Sequence, residues 1–332
     1  MSTRGASPGR RTRVMAADAA GITEAARLLT EGGLVALPTE TVYGLACDAT
    51  NPRAVANLYT AKGRPSFNPL IAHVPDIASA RKVGRLTPAA ETLASRFWPG
   101  PLTLVVPAVE AATSALARAG LPSVAIRVPT HPVAQAVLRA AGRAIAAPSA
   151  NRSGHVSPTR ASHVQADLDG RIDLILDAGP SAVGVESTIV DCTGDVPVML
   201  RPGGLPREAI EAALGAPLGD LTPSPAADAP VAPGMLASHY APSVPVRLRA
   251  SEVRPGEALL SFAGAHPPGA ETALAVRDLS PAGDLDEAAA NLFDYLRALD
   301  ASGASAIAVV PLPRRGLGEA IADRLRRAAA PR

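Results

Sequence analysis

Apolar residues recur along the first two thirds of the chain in short runs separated by stretches of helical spacing. Ile22, Ala25, Ala26 and Leu29 fall three and four apart, the spacing of one helix face, and Gly32-Gly33 stops that pattern before Leu34-Val35-Ala36-Leu37, which reads as a buried strand ended by Pro38. Further strands are predicted at 70–74, 102–106, 124–128, 144–147, 174–176, 188–190 and 198–200, with helices at 88–97, 132–141 and 160–168. Strands interleaved with helices predict an α/β or α+β domain running to about Leu214. From Gly215 to Pro233 the periodicity disappears into proline-rich sequence, the signature of a linker. Strands are expected again at 244–248, 258–262, 273–276 and 306–310, with helices near 284–299 and 317–330. That alternation suggests a second, small doubly wound domain. It carries neither a GxGxxG turn nor a Walker A sequence, so nothing there assigns it chemistry and it is taken as auxiliary.

Two domains also suit a chain of 332 residues. Apolar types make up 47% and aromatics only 3%, so Ala, Val and Leu must fill the cores and each of the nine aromatics is worth placing. No apolar stretch approaches the roughly 20 residues of a membrane span, and the start of the chain has charge without an apolar segment behind it. A cytoplasmic protein with no membrane partner is expected. Cys47 and Cys192 stand far apart without the spacing of a zinc site or a disulfide framework, so both are read as buried thiols.

The charge of +2 is unevenly spread: the first 13 residues hold four arginines and no acid, which leaves the remainder at −2. Bulk electrostatic binding of nucleic acid is therefore not expected of the folded part, and residues 1–13 are expected to form a disordered basic tail. Of 32 basic residues only Lys62 and Lys82 are lysines. In a chain that writes arginine almost everywhere, a surviving lysine is a candidate for a place needing a compact ammonium.

Chemistry-bearing residues gather at strand ends. Thr39, Glu40, Thr41 and Tyr43 follow the first buried strand and could hydrogen-bond into a crevice there, or form an ordinary capped turn. In Lys62-Gly63-Arg64-Pro65-Ser66-Phe67-Asn68-Pro69, two cations in a proline-braced loop suit a polyphosphate, the ammonium as a point charge and the guanidinium as a fork. His73 lies in an apolar strand, where a satisfied core histidine is the ordinary reading. Arg127 sits among apolar strand neighbours and needs an anionic partner, either a structural carboxylate or a ligand. Ser149, Asn151 and Ser153 end another strand, Thr159 stands at a helix start, Glu186-Ser187-Thr188 precedes a strand and Arg201 closes the set. There is no GxSxG elbow, no HExxH and no pair of aspartates at metal-ligand spacing. Cations, hydroxyls and amides instead suit a nucleotide with a further small anion, and catalysis by positioning and charge neutralisation.

Together Pro38-Thr39-Glu40-Thr41-Val42-Tyr43-Gly44-Leu45, Lys62-x-Arg64, Ser149-x-Asn151, Glu186-Ser187-Thr188 and Leu200-Arg201-Pro202-Gly203 resemble the YrdC/Sua5 family. Pro233-Gly234-Met235 and His239-Tyr240-Ala241-Pro242 resemble the linker of its longer, two-domain Sua5 form. Leu236-Ala237-Ser238 lacks the basic residue expected between them, and Val183-Gly184-Val185 has one glycine where the family often has two. The resemblance implies a YrdC-like twisted mixed sheet with a positively charged concavity over residues 14–214, a linker and lid over 215–243, and a small Rossmann-like Sua5 domain over 244–332. It implies synthesis of threonylcarbamoyl-AMP and pyrophosphate from L-threonine, bicarbonate or CO2, and ATP. The product would pass to a downstream threonylcarbamoyl-transferase machinery for t6A modification, so that tRNA is met only indirectly. The threonine pocket would carry over to Thr41, His73, Arg127, Ser149 and Ser187, with Arg127 clamping the carboxylate. Contacts to ATP would fall on Lys62, Arg64, Asn68, Ser123, Asn151, Thr159, Arg201 and Tyr240. Lys62 and Arg64 would act catalytically by neutralising phosphates, Mg2+ would arrive with ATP and not on protein ligands, and Tyr240 would bring the linker over the pocket. Two other readings are an RNA-binding or tRNA-modification scaffold using the same concavity, and a carbamoyl-adenylate enzyme with another acceptor. The hydrogenase-maturation relatives that carry out the latter have acylphosphatase and zinc-finger modules, and this sequence shows neither.

Overall fold

The computed structural model describes residues 11–220 and 239–331. The tail residues 1–10, most of the proline-rich stretch, Pro233-Gly234-Met235 and Leu236-Ala237-Ser238 lie outside the described residues.

The chain opens with β1 (Arg13–Ala16), α1 (Ala19–Thr30), β2 (Val35–Leu37), β3 (Gly44–Asp48), α2 (Pro52–Lys62), β4 (Ile71–His73), α3 (Ile77–Val83) and α4 (Pro88–Phe97). It continues through β5 (Leu102–Pro107), β6 (Ser123–Arg127), α5 (Pro132–Ala141), β7 (Ile145–Ala146), α6 (Ala161–Leu168), β8 (Leu174–Asp177), β9 (Thr188–Asp191), β10 (Val198–Arg201), α7 (Arg207–Leu214) and β11 (Gly219–Asp220). These strands form one mixed sheet in the order β1-β8-β2-β3-β7-β4-β6-β5-β9-β10-β11. Most of the elements expected from the sequence are present, with boundaries shifted by one or two residues.

Four local expectations change. Strand β1 begins at Arg13, inside the stretch expected to be tail, because it pairs in parallel with β8 and Thr12 Oγ1 donates to the Ile172 carbonyl at 2.8 Å. Gly219 and Asp220 do not belong to the linker, since they add a parallel edge strand to β10. Lys62 is not in a loop: it is the last residue of α2, a helix started by Pro52 behind an Asn51 cap and stopped by Gly63 at φ +60°. Thr159 lies two residues ahead of α6, whose cap residue is Arg160.

The second sheet contains β12 (Val246–Arg247), β13 (Glu257–Ser261), β14 (Val276–Asp278) and β15 (Ala306–Val309) in the order β12-β15-β13-β14, all parallel. Strand and helix alternate fully only from β14 through α8 (Leu285–Asp300) and β15 to α9 (Leu317–Ala328). The β12–β13 connection has no helix, and β13–β14 has a single 3-10 turn at Ala270–Thr272.

The second domain is not detached. Its apolar core takes in Val42, Val156, Val185 and Tyr240 from the first part of the chain and the linker. Gly184, at φ +76°, lies so close to α8 that a Cβ there would come 2.3 Å from the Ala289 carbonyl oxygen. The single glycine of Val183-Gly184-Val185 is therefore the residue that lets α8 dock.

Candidate active site

Strand ends and turns from distant parts of the sequence close around one cavity. Its wall is formed by Thr41 and Val42 after β2, Ile71 and His73 on β4, and Arg127 at the end of β6. Ala147-Pro148-Ser149 after β7, Glu186-Ser187 before β9, and Arg201 at the end of β10 complete it, with Arg64, His239 and Tyr240. The free space is about 40 Å³, room for a few water molecules. That is less than an amino acid or a nucleotide occupies.

One side of the cavity is built around Arg127. Its Nη1 donates to Thr41 Oγ1 at 2.8 Å, its Nη2 to Glu40 Oε1 at 2.6 Å and its Nε to the Gly100 carbonyl at 3.3 Å. The anion that a buried arginine needs is thus Glu40, a structural carboxylate, and only the remaining N–H groups of the fork are left for a ligand. Burial works against the Glu40 carboxylate, but the Arg127 charge and hydrogen bond, joined by backbone N–H donors, together outweigh it and hold the group below its ordinary range. Beside them His73 is buried, and its Nδ1 donates to the Ile71 carbonyl at 3.1 Å, which leaves Nε2 as an acceptor. Burial, with Arg127 nearby, pushes its pKa down to about 3, so the ring is neutral at physiological pH. Ser187 Oγ shares a 2.7 Å hydrogen bond with Thr103 Oγ1.

The opposite side is cationic. Lys62 is 3% exposed, and its Nζ donates to the carbonyls of Ser149 and Asn151, each at 2.5 Å, so α2 pins the turn after β7 through an ammonium. Arg64 Nη2 donates to the Pro69 carbonyl at 3.2 Å. Arg201 donates through Nη2 to the Ser187 carbonyl at 2.8 Å. Each of these contacts is to a backbone carbonyl. Burial drives Lys62 well below the ordinary lysine range, with Arg64 adding to it, and lowers Arg64 to about 10. Arg201 is lowered too, again by burial. Charges disfavoured in this way are stabilised by an arriving anion.

Arg64 Nε, at the cavity, and the buried Asn68 Oδ1, Asn151 Oδ1 and Thr159 Oγ1 have no hydrogen-bond partner among the described residues. Folded proteins leave few buried polar atoms unsatisfied, so each of these is open to a polar ligand.

Of the residues singled out in the sequence, Thr41, Arg64, His73, Arg127, Ser149, Ser187, Arg201 and Tyr240 line the cavity, and Lys62, Asn68, Asn151 and Thr159 are buried. Ser123 does not line it: it opens β6, about 13 Å along the strand from Arg127, level with the loop that precedes β4. Tyr43 turns away into the core and donates its hydroxyl to the Gly179 carbonyl at 2.7 Å. Phe67 is 49% exposed.

Sequence reasoning missed the pairing of the site with the second domain. Glu186 accepts from Ser157 Oγ at 2.5 Å and from Arg324 Nε at 2.7 Å. Arg324 is completely buried, donates through Nη1 to Asp323 and to the Pro202 carbonyl, each at 2.9 Å, and stands 5.1 Å from the centre of the Tyr240 ring. Phe293 of α8 stacks on Tyr240 at 5.5 Å. Tyr240 is thereby held by two residues of the second domain, while its hydroxyl meets no partner among the described residues. The signal was present in α9, where Leu317, Ala320, Ile321, Arg324, Leu325 and Ala328 share one stripe, so that Arg324 falls on an apolar face.

Among the described residues no three His, Cys, Asp or Glu side chains stand together as a metal site, and no helix is long and apolar enough to cross a membrane.

The two buried histidines of the cavity give a pH dependence. Burial also lowers His239 to about 3, so the unfolded chain binds more protons than the native one between about pH 6.5 and 3. Their contribution to stability is complete above the unfolded value and is lost as pH falls through that window. Urea titrations at pH 7.5 and 5 should show a decline approaching 1.4 kcal/mol per pH unit for each histidine near pH 5. Equal stabilities at the two pH values would show that neither ring is buried neutral.

The Sua5/YciO/YrdC family model, described as telomere recombination, matches residues 27–203, and the model of the threonylcarbamoyl-AMP synthase C-terminal domain matches residues 205–330. The chain is 44% identical to the threonylcarbamoyl-AMP synthase of Bacillus subtilis, over 93% of this chain and 92% of that one. With the Pyrococcus abyssi enzyme of the same name it is 42% identical over 92% of each. Its structure superposes on that of P. abyssi Sua5 complexed with L-threonine with a TM-score of 0.85 and 38% identity, covering 96% of this chain and 97% of the other.

Proposed function

The chain belongs to the Sua5/YciO/YrdC family of threonylcarbamoyl-AMP synthases, and on that premise we propose that its cavity joins L-threonine, bicarbonate or CO2, and ATP into threonylcarbamoyl-AMP with release of pyrophosphate. The observation that carries this reading is the division of the cavity into two chemically different walls. Arg127, Thr41 and neutral His73 offer donors and one acceptor on the scale of an amino acid. Arg64 and Arg201 line the cavity with two buried cations, and the buried Lys62 ammonium holds the carbonyls of Ser149 and Asn151 beside it, a cationic group on the scale of a nucleotide.

The reaction requires no protein nucleophile. The threonine amine adds to CO2 and loses a proton to solvent to give an N-carboxylate, one oxygen of which attacks the α-phosphorus of ATP. The bond from that phosphorus to the bridging oxygen of pyrophosphate breaks, and its electron pair leaves with pyrophosphate. Negative charge grows on the departing oxygens, and Lys62, Arg64 and Arg201 are held in a water-poor site where such charge is most strongly stabilised. In the threonine pocket the free N–H groups of Arg127 meet the carboxylate, Thr41, Ser149 and Ser187 supply hydroxyls, and His73 Nε2 accepts from the amino acid. Asn68, Asn151 and Thr159 orient the nucleotide, Tyr240 closes over both substrates, and Ser123 contributes through the loop before β4. The described acids do not suit a resident metal, since Glu40 and Glu186 are each committed to an arginine. Mg2+ belongs to the ATP as its phosphate counter-ion. The labile product passes to a threonylcarbamoyl-transferase that modifies tRNA.

Pyrophosphate release by the purified chain should require threonine, bicarbonate and ATP together. Release at the same rate without threonine would reject the reading.

A further inference from the structure

A second cavity lies on the far side of the Asp323–Arg324 pair. It is enclosed by the segment after β10, the carboxyl ends of β12 and β15, and α9, and its volume is about 740 Å³ against about 40 Å³ for the catalytic cavity. That is ample for a small organic ligand. Leu248, Val309, Leu312 and Leu325 give it an apolar side, and four arginines reach it. Arg207 is held by Glu319 at 3.2 Å and Arg326 by Asp323 at 2.5 Å. Arg249 and Arg314 are exposed and meet no acid among the described residues. Arg249 is also fixed at φ +53°, a backbone state that side-chain-bearing residues adopt only when their surroundings impose it.

The loop that carries Arg314 joins β15 to α9 through Pro311-Leu312-Pro313-Arg314-Arg315-Gly316. Its Gly316 N–H donates to Glu208 at 3.4 Å and the N–H groups of Gly318 and Glu319 to the carbonyls of Arg315 and Gly316, so Arg314, not open backbone, is what the loop offers an anion. Gly318 packs so tightly under that loop that a Cβ would fall 2.1 Å from the Pro313 carbonyl oxygen. The carboxyl edge of a parallel sheet is where open α/β sheets accept ligands.

We propose that this interdomain cavity is a second ligand site, separate from the one that performs the chemistry, and that it takes a mononucleotide. The base lies on the apolar side and the phosphate is bound by Arg249 and Arg314. An isolated phosphate would leave most of the space and all of the apolar side unused. The two cavities share a wall: Asp323 faces this one, while the Arg324 it binds faces Glu186 and Tyr240. An occupant here therefore sits two side chains from the residue that fills the catalytic cavity.

Equilibrium dialysis of the intact chain against labelled AMP and labelled ATP tests this. Two nucleotide sites per chain are expected. A variant carrying Arg249→Ala and Arg314→Ala should weaken one of them by about tenfold or more, with threonine-dependent pyrophosphate release within about twofold of the parent. Arg64→Ala should weaken the other. A single site in the parent, or two sites that both survive the double substitution, would overturn the proposal. Binding of inorganic pyrophosphate without AMP would overturn the nucleotide assignment. Crystals of the unaltered chain soaked in AMP give a check that does not depend on any variant: density beside Arg249 and Arg314 is expected, and an empty cavity at saturating AMP contradicts it.

Discussion

Lys62→Ala should lower the kcat/KM of threonine-dependent pyrophosphate release by two to three orders of magnitude, about the effect of removing one preorganised electrostatic donor from an active site. The expectation rests on two functions of one side chain. The ammonium is buried beside Arg64 with no carboxylate at hydrogen-bonding distance among the described residues, so a polyphosphate is the anion that completes it, and it also holds the carbonyls of Ser149 and Asn151. Alanine removes the charge and releases the turn that carries Ser149 and Asn151. Lys82, the other lysine, is exposed on α3, and Lys82→Ala should stay within about twofold of the parent. Arginine at position 62 should restore little, because a planar fork cannot occupy a site shaped for a compact ammonium between two carbonyls. Similar losses on replacing the two lysines would remove Lys62 from the site.

Arg324→Ala should destabilise the protein by about 3–5 kcal/mol, the usual result of stranding one member of a buried ion pair, and lower its melting temperature on the order of 10 °C. Burial alone would raise the Glu186 pKa; Arg324, Arg201 and Ser157 hold it down. Adding Glu186→Gln to Arg324→Ala removes the stranded charge and should recover part of the loss. Activity should fall in the single variant at temperatures where it remains folded, since Tyr240 loses the cation over its ring. Thermal denaturation and steady-state rates at 25 °C separate the two effects. A stability change below about 1 kcal/mol would show that Arg324 and Glu186 are not paired in a buried site.

The arrangement gives the second domain a part in the site. Its core incorporates Val42, Val156, Val185 and Tyr240, and Arg324 and Phe293 grip Tyr240 from two sides. The last helix thus supports the residue that fills the cavity.

Much of this was legible in the sequence. Strong periodicity with capping signals located α4 and α5 within a residue, because Pro88 and Pro132 sit at their first positions. Strand β1 escaped because most of its residues are exposed and pairing with β8, not burial, holds it. Helix α2 had its signals, an Asn-Pro start and a glycine stop with Val55, Leu58, Tyr59 and Lys62 on one face, but a lysine on an apolar face disguised them. Thr41, Arg64, His73, Arg127, Ser149, Ser187, Arg201 and Tyr240 meet at one cavity because strand ends in one sheet bring distant turns together. What the sequence could not show is which buried charges partner one another. Arg127 met Glu40 from its own domain, and Glu186 met an arginine 138 positions away.

The central claim is that one cavity joins three substrates without a covalent enzyme intermediate. Mass spectrometry of a single incubation with labelled bicarbonate, threonine and ATP tests it most directly. The account predicts a threonylcarbamoyl-AMP that carries the bicarbonate label, formed together with pyrophosphate and absent from the Lys62→Ala reaction. Adenylated threonine without the label, or pyrophosphate released with no carbamoyl adenylate, would contradict it.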